Sequence, residues 1–450
     1  MPKKKFVPIM IKKISEKVPV VSKHYSGYVE SESAVTNAWY DKLDCTTLLE
    51  KFGSPLFVAS ESHIKSKIRQ FKKIFQFHGF KTIIGYSFKT NYLPGICRVF
   101  LQEGCWAEVV SGMEYTLAQK LKVAGKQIIF NGPYKTEEEL LEAINNDSII
   151  NMDHFEELDI INKLAAKLKK KAKIGFRFNF SYFNHVWDKF GFRYNEVEFT
   201  ELFKAIKAAK HVEFVSIHNH CGTYVLEPDV YATSVNCIYN ICQIGLKFGL
   251  QPKIIDLGGG YPSSTQLRQQ YTYGYVSAHV DLARYADAIS GGLQKIRKLL
   301  GEDLLLIFEP GRSLIDEAVM LICTVVANKQ GVSDSRITIT DAGINILPTT
   351  SWYQREPKLI SAHNGNYMNQ RVCGPLCMQI DVLNETVYLP ELQPGMQLLI
   401  PNVGAYNQTQ SMQFIQYRPA TVMITEENKP ILIQRKENFD DIFIRDQFPK

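Results

Sequence analysis

Eight strand-like segments, each trailed by a helix-like one, predict an α/β fold: a (β/α)8 TIM barrel followed by an all-β C-terminal domain. Apolar runs of strand length recur at 82–89, 106–110, 127–131, 148–152, 174–180, 213–219, 253–257 and 304–309. Between them lie helix-like stretches, such as those at 112–124, 135–146, 154–171, 196–210, 229–248 and 277–300. Eight units over roughly 230 residues suit a closed barrel better than an open doubly wound sheet. After about residue 315 the pattern changes. Short apolar runs at 319–327, 336–340, 379–382, 386–389, 396–400, 420–425 and 430–434 are separated by turn signals such as Asn328, Gly331, Pro394-Gly395 and Asn428. No long amphipathic helix lies among them, which reads as a β domain.

Taken in order, residues 1–55 read as irregular, and a short apolar segment at Leu56–Ala59 follows the turn signal Gly53-Ser54-Pro55. The barrel is expected to span 60–312, with 1–59 joining 313–450 in the β domain. Over 82–91, period-two alternation puts Ile83, Gly85, Ser87 and Lys89 on one face. Ile84, Tyr86 and Phe88 fall on the other, bulky enough to pack against helices. The helix over 135–146 opens on Thr136 with Glu139 three residues on, a capping box.

The 450 residues are 45% hydrophobic and 22% charged, an ordinary globular composition. A net charge of +6 comes in part from Lys3, Lys4, Lys5, Lys12, Lys13, Lys167 and Lys169–Lys171. Such runs read as solvated faces, so no nucleic-acid partner is expected. The apolar run Phe6–Met10 is broken by Pro8 and too short for a secretory signal, while Leu314–Ala327 carries Asp316 and Glu317 and is too short to cross a membrane. Nine cysteines, an odd number without regular spacing, argue against a disulfide framework and for a reducing cytoplasm. Cys373 and Cys377 flank a Gly-Pro turn with no second pair, so no structural zinc is expected.

In such a barrel the site forms at the C-terminal ends of the strands, and the unusual residues fall there. Strand one ends in Lys89, whose amine, if buried, is disfavoured as an ammonium and can act as a nucleophile; its ordinary alternative is a strand-end lysine in water. Strand five carries Arg177. Strand six ends in His218-Asn-His220-Cys-Gly-Thr223, two imidazoles on one face that suit a stacking surface or a packed core; no acid beside them completes a metal site. Strand seven ends in Asp256-Leu-Gly258-Gly259-Gly260-Tyr261, a turn able to aim several N–H groups at an anion. Strand eight ends in Glu309-Pro-Gly-Arg312, a carboxylate followed by a phosphate-gripping fork or a surface ion pair. Together, an amine, a phosphate cradle, a flat ring and a carboxylate are the parts that pyridoxal phosphate needs, with Glu309 keeping the pyridine nitrogen protonated.

On Tyr86-Ser-Phe-Lys89-Thr-Asn91, Glu108-Val-Val-Ser-Gly112, His218–Thr223, Asp256–Pro262, Glu309–Arg312, Gly374-Pro-Leu-Cys377 and Gly404-Ala-Tyr406, the chain resembles the fold-type III pyridoxal-phosphate decarboxylases of diaminopimelate, ornithine and arginine. The resemblance covers about residues 55–425 and implies an alanine-racemase-like barrel plus a β domain. It implies Lys89 as the covalent anchor, His220 against the cofactor ring and Glu309 at the pyridine nitrogen. Gly258, Gly259, Gly260, Thr223, Arg312 and Tyr406 are implied around the phosphate. Cys377 is implied as the proton donor after carbon dioxide leaves, reaching the site from a partner protomer in a homodimer with shared sites.

The substrate side departs from that family. Met378 stands where diaminopimelate enzymes place Glu and ornithine enzymes Asp, with Gln379, Ile380 and a retained Asp381 after it. Thr349 stands where an arginine grips substrate carboxylate, and Gln354, just after Tyr353, where ornithine enzymes hold an acid. Arg177, Tyr353, Gln354, Met378 and Asp381 are therefore the candidate substrate residues. The expected substrate is a basic amino acid already conjugated at its distal amine, such as citryl-ornithine or citryl-diaminopropionate in siderophore assembly. Diaminopimelate itself is the alternative, and a cofactor-free regulatory homologue the alternative of another class. Alanine racemase fits less well, because it places a weakly acidic arginine where Glu309 stands.

Overall fold

Parallel pairing closes the eight expected strands into a ring. The computed structural model describes residues 28–30, 38–182, 185–268, 278–301, 303–332, 336–361 and 365–449; the lysines at positions 3–13 lie outside these. The barrel strands are Phe80–Ser87, Trp106–Val109, Ile128–Phe130, Ile149–Met152, Ala172–Asn179, Val212–Asn219, Ile254–Asp256 and Leu304–Phe308. Each pairs with the next, the fourth closes on the fifth, and the first pairs with the eighth through Ile83 and Ile307. Their outward residues, among them Ile84, Tyr86, Phe130, Phe176 and Ile217, join one large core with the surrounding helices.

The helices form where caps and apolar stripes agree. Thr136 and Glu139 make both arms of the expected capping box, at 3.2 and 2.8 Å. Asn195 caps Glu196–Ala208 and Ser111 caps Gly112–Lys120. The helix expected from 277 begins at Leu282, because Asp281 caps it and Ala278–Val280 instead pair antiparallel with Tyr28–Glu30. A helix not foreseen, Glu61–Ile74, starts from the Ser60 cap and buries Ile64, Ile68 and Phe71 on one face. No helix among the described residues is long and apolar enough to cross a membrane.

Beyond the barrel the chain is mostly strands, as expected. Leu56–Ser60 lies between Val319–Gln330, to which it is antiparallel, and Ala420–Ile424, to which it is parallel. Two details correct the sequence reading. Tyr367–Cys373 is a strand without an apolar run, since only Gln370 and Val372 of its residues are buried. The run expected at 379–382 is mostly a turn, because Asp381 folds it: its carboxylate accepts the N–H groups of Ile344 and Leu376, each at 2.8 Å.

Inside the barrel, side chains stack in two layers. Ile129, Ile149, Val215, Ile254 and Ile307, with Ile83 and Trp106 against them, fill the end nearer the strand starts. Two residues further along the same strands stand Glu108, Asn131, Asn151, Asp256 and Glu309, all buried.

Candidate active site

The polar layer is a hydrogen-bonded ring around Lys89. The first strand stops at Ser87, and Phe88–Thr90 form a 3-10 turn that carries Lys89 over the barrel mouth, with its side chain 32% exposed. Lys89 Nζ and Ser87 Oγ both donate to Glu108 Oε2. Asn131 Nδ2 reaches Glu108 Oε1 at 3.1 Å and Glu309 Oε1 at 2.7 Å, and its own carbonyl accepts from Asn151 at 2.8 Å. On the far side of Glu309, His218 Nε2 lies 3.3 Å from Oε2.

This arrangement corrects the expected state of Lys89. Burial does push its amine towards the neutral form, but the carboxylates of Glu108 and Glu309, with Tyr406, outweigh it and hold the ammonium above its ordinary range. Gly85 and Ser87, on the same face of the first strand, have structural tasks of their own. A Cβ on Gly85 would come within 2.9 Å of Ile129 Cδ1, so that glycine makes room for the apolar layer, and Ser87 is a hydrogen-bond donor.

The loops after strands six and seven interlock. Gly259 N–H donates to His220 Nδ1 at 3.0 Å, and Gly258 N–H to Asp256 Oδ1 at 2.9 Å. Two of the three glycine amides expected at an anion are therefore committed within the protein. Only Gly260 N–H has no such acceptor among the described residues. The glycines are nonetheless required: Cβ atoms at Gly258, Gly259 and Gly260 would lie 2.4–2.5 Å from the carbonyl oxygens of Asn219, Glu309 and Gly222. Burial, with Arg177 and Lys89 nearby, keeps His220 well below the ordinary histidine range and so neutral at pH 7, a flat ring whose centroid lies 5.9 Å from that of Trp187. Arg177 is buried, donates to the His220 carbonyl at 3.3 Å and lies 4.5 Å from the centre of the Phe190 ring. Thr223 lies exposed on the turn.

Arg312 decides what this cleft can hold. Its guanidinium is buried among the rings of Tyr353, Tyr406 and Tyr224, at 4.3, 5.0 and 5.6 Å. Nε and Nη1 have no hydrogen-bond acceptor among the described residues, and Asp316 Oδ2 is 3.9 Å away. A desolvated guanidinium with idle N–H groups is costly unless an anion with several oxygens completes it. Tyr406 is drawn in by its N–H, which donates to the Thr90 carbonyl at 2.8 Å, next to Lys89. An amine, a neutral ring, an ionised carboxylate and an unsatisfied guanidinium share one mouth, which fits pyridoxal phosphate.

Comparison with known proteins agrees. The family described as "Pyridoxal-dependent decarboxylase, pyridoxal binding domain" matches residues 61–316. The chain belongs to the pyridoxal-dependent decarboxylases. Diaminopimelate decarboxylase of Aquifex aeolicus is 28% identical over 93% of this chain and 97% of its own length, and that of Methanocaldococcus jannaschii 30% identical over 91% and 94%. A solved structure of the M. jannaschii enzyme in complex with L-lysine superposes with a TM-score of 0.80 at 27% identity, covering 90% of this chain and 95% of that one. The Helicobacter pylori enzyme complexed with L-lysine gives 0.78 at 27% identity, covering 89% and 98%. The alanine-racemase-like barrel with a β domain is thus shared.

The substrate candidates of this decarboxylase divide. Tyr353 is buried against Arg312, and burial pushes its hydroxyl up to about 12. Gln354 sits on a short strand opposite Gln266. Cys377 and the half-buried Met378 lie on the turn that Asp381 folds, with Cys377 exposed. Each oxygen of Asp381 accepts one backbone N–H group, so its carboxylate holds the turn that carries Cys377 and Met378.

Sequence reasoning missed Asn131, Asn151 and Arg355 and gave Glu108 and Asp256 no role. Four of these share one signal, a polar residue closing a buried strand two positions after an apolar inward one. Arg355 has no such pattern. It is buried, donates to the Asn402 carbonyl at 2.7 Å and to Thr349 Oγ1 at 2.9 Å, and leaves Nη1 without an acceptor among the described residues.

Proposed function

We propose that this decarboxylase acts on an α-amino acid of the diaminopimelate type, with Lys89 as the covalent anchor of pyridoxal phosphate. The observation that carries the substrate reading is two-way, near full-length similarity to proteins named diaminopimelate decarboxylase. When bound, the cofactor supplies an electron sink for the pair left as carbon dioxide departs. Arg312, the Gly260 N–H and Tyr406 hold the phosphate end, His220 faces the ring and Glu309 meets the pyridine nitrogen. Glu108, in contact with Lys89 Nζ, receives the proton that the amine must shed to act as a nucleophile.

In this reading the working form is a homodimer with shared sites, in which the exposed Cys377 of one protomer gives a proton to the substrate carbon held by the other. Exposed Met412, Phe414, Ile415 and Tyr417 offer an apolar face for a second copy. All nine cysteines are free thiols, which supports a reducing cytoplasm.

A second reading, a conjugated substrate such as citryl-ornithine or citryl-diaminopropionate for siderophore assembly, is favoured by Thr349, Met378 and Gln354 in place of the family's Arg, Glu and acid. The buried Arg355, with an idle Nη1, suits an added carboxylate. Carbon dioxide release from diaminopimelate, ornithine and citryl-ornithine tests both readings. Diaminopimelate is expected to have the highest kcat/KM; a tenfold advantage for citryl-ornithine moves the assignment to the second reading. A colourless protein inactive on all three would be a regulatory homologue.

A further inference from the structure

The ring in the polar layer contains more acid than the reading above uses. Asp256 ends the seventh strand, fully buried, and only its Oδ1 has a donor, the Gly258 N–H at 2.9 Å. Its Oδ2 has none among the described residues. Glu309 ends the eighth strand beside it, and the two are fixed to each other by the backbone, since Glu309 N–H donates to the Gly258 carbonyl at 2.8 Å. Ligand-type atoms of His218, Asp256 and Glu309 all fall within 4.8 Å of one another, in a layer closed to water.

Two carboxylates this close and this buried cannot both ionise without a large electrostatic cost, so one keeps its proton. The surroundings choose which. His218, 3.3 Å from its Oε2, and Lys89 favour the ionised form of Glu309; burial resists its ionisation, but these groups outweigh that and hold it below the usual carboxylate range. Asp256 has no such company: burial, then the charges of Glu309 and Glu108, push it well above that range. Arg177, like Lys89, brings a positive charge to the layer and is drawn to both Glu309 and Glu108.

We propose that Asp256 is a positioning residue, protonated on Oδ2 and donating that proton as a hydrogen bond to Glu309, so that Glu309 stays the ionised member of the pair. The donated hydrogen bond drains basicity from Glu309. A proton lying between Glu309 and a pyridine nitrogen then remains on the nitrogen, where it strengthens the electron sink. The link to the cofactor rests on the reading that Glu309 meets that nitrogen; the proton on Asp256 does not.

Two measurements on the full-length protein separate these. Infrared spectroscopy at about pH 9, where Glu114 is ionised, with and without cofactor, should show a protonated-carboxyl band that disappears in Asp256→Asn. Absence of the band in the wild type, its survival in Asp256→Asn, or its loss on adding a divalent cation overturns the proposal. The visible spectrum of the bound cofactor, titrated with pH, should be nearly wild-type in Asp256→Asn, whose amide still donates. In Asp256→Leu it should shift, with roughly tenfold weaker cofactor retention, the loss of about one hydrogen bond to a charged group. A spectrum indifferent to both variants while the band is present overturns the positioning role. The cofactor site itself is judged separately, by the absorbance of Lys89→Ala and Glu309→Gln.

Discussion

The barrel interior has two floors built from the same strands and different in kind. Ile129, Ile149, Ile254 and Ile307 pack the lower one; two residues on, Asn131, Asn151, Asp256 and Glu309 build the upper. The lower floor gains from burial in the ordinary way. The upper floor must satisfy each group it buries, and it leaves Asp256 Oδ2 and Asn151 Oδ1 without partners among the described residues. A shift of two residues along a strand thus separates a group that holds the barrel together by packing from one that buries polar atoms around Lys89 at a cost to the fold.

Substitutions test that separation. The largest effect belongs to Lys89→Ala, expected to cut carbon dioxide release by at least about a thousandfold and to remove the visible absorbance, because no other amine replaces the nucleophile. Its unfolding should remain a single cooperative transition. An equally large collapse of stability would mean that the upper floor also carries the fold.

Ile307→Ala is the converse. Deleting a fully buried side chain of the lower floor should cost about 2–5 kcal/mol in urea denaturation, with the cofactor spectrum unchanged. A spectral change without loss of stability would dissolve the distinction between floors. Arg312→Ala comes next: losing the buried guanidinium should weaken phosphate binding by about 2 kcal/mol, roughly thirtyfold, in a cofactor titration. Arg312→Lys should recover only part of this, since an ammonium lacks the fork.

The two floors were also unequally legible. Barrel strands showed in the sequence because each is a short apolar run, and the lower floor is part of what makes them apolar. The helix Glu61–Ile74 was readable from its Ser60 cap and its Ile64, Ile68, Phe71 spacing, yet it precedes the first barrel strand, where regular alternation had not begun. On the upper floor, Lys89, His220, Glu309 and Arg312 stood out because their side chains are unusual at strand ends. Asp256 and Glu108 were visible as letters only. Their roles depend on partners about 50 and 20 residues away, Glu309 and Lys89, and on burial that no local pattern reports. The direction of the Lys89 shift was misjudged for the same reason: burial could be anticipated at a strand end, but the carboxylate touching the amine could not. Asp381 stands out as an acid after Cys377, but its task in the turn, accepting two N–H groups, depends on residues 37 and 5 positions away that no local pattern reports.

The smallest predicted effect shows the cost of the upper floor directly. Glu114 lies in the first turn of the helix Gly112–Lys120, just after the strand that ends in Glu108 and Val109, with Oε2 accepting the Val110 N–H at 2.8 Å. Burial, and then the charge of Glu108, outweigh the pull of Lys89 and push its carboxyl up to about 7 from an ordinary 4.5. The folded state therefore prefers the protonated acid. Its stabilising contribution is complete below the unfolded value near 4.5, declines as pH rises, and is gone above about 7. Glu114→Gln cannot ionise, so its stability should fall less than the wild type's between pH 5 and 8, by about 1–2 kcal/mol. The difference between the two urea-midpoint profiles isolates this group from every other acid and histidine that titrates in the window. Parallel profiles would mean that Lys89 keeps Glu114 ionised throughout, and that the upper floor costs the apo protein less than its buried charges imply.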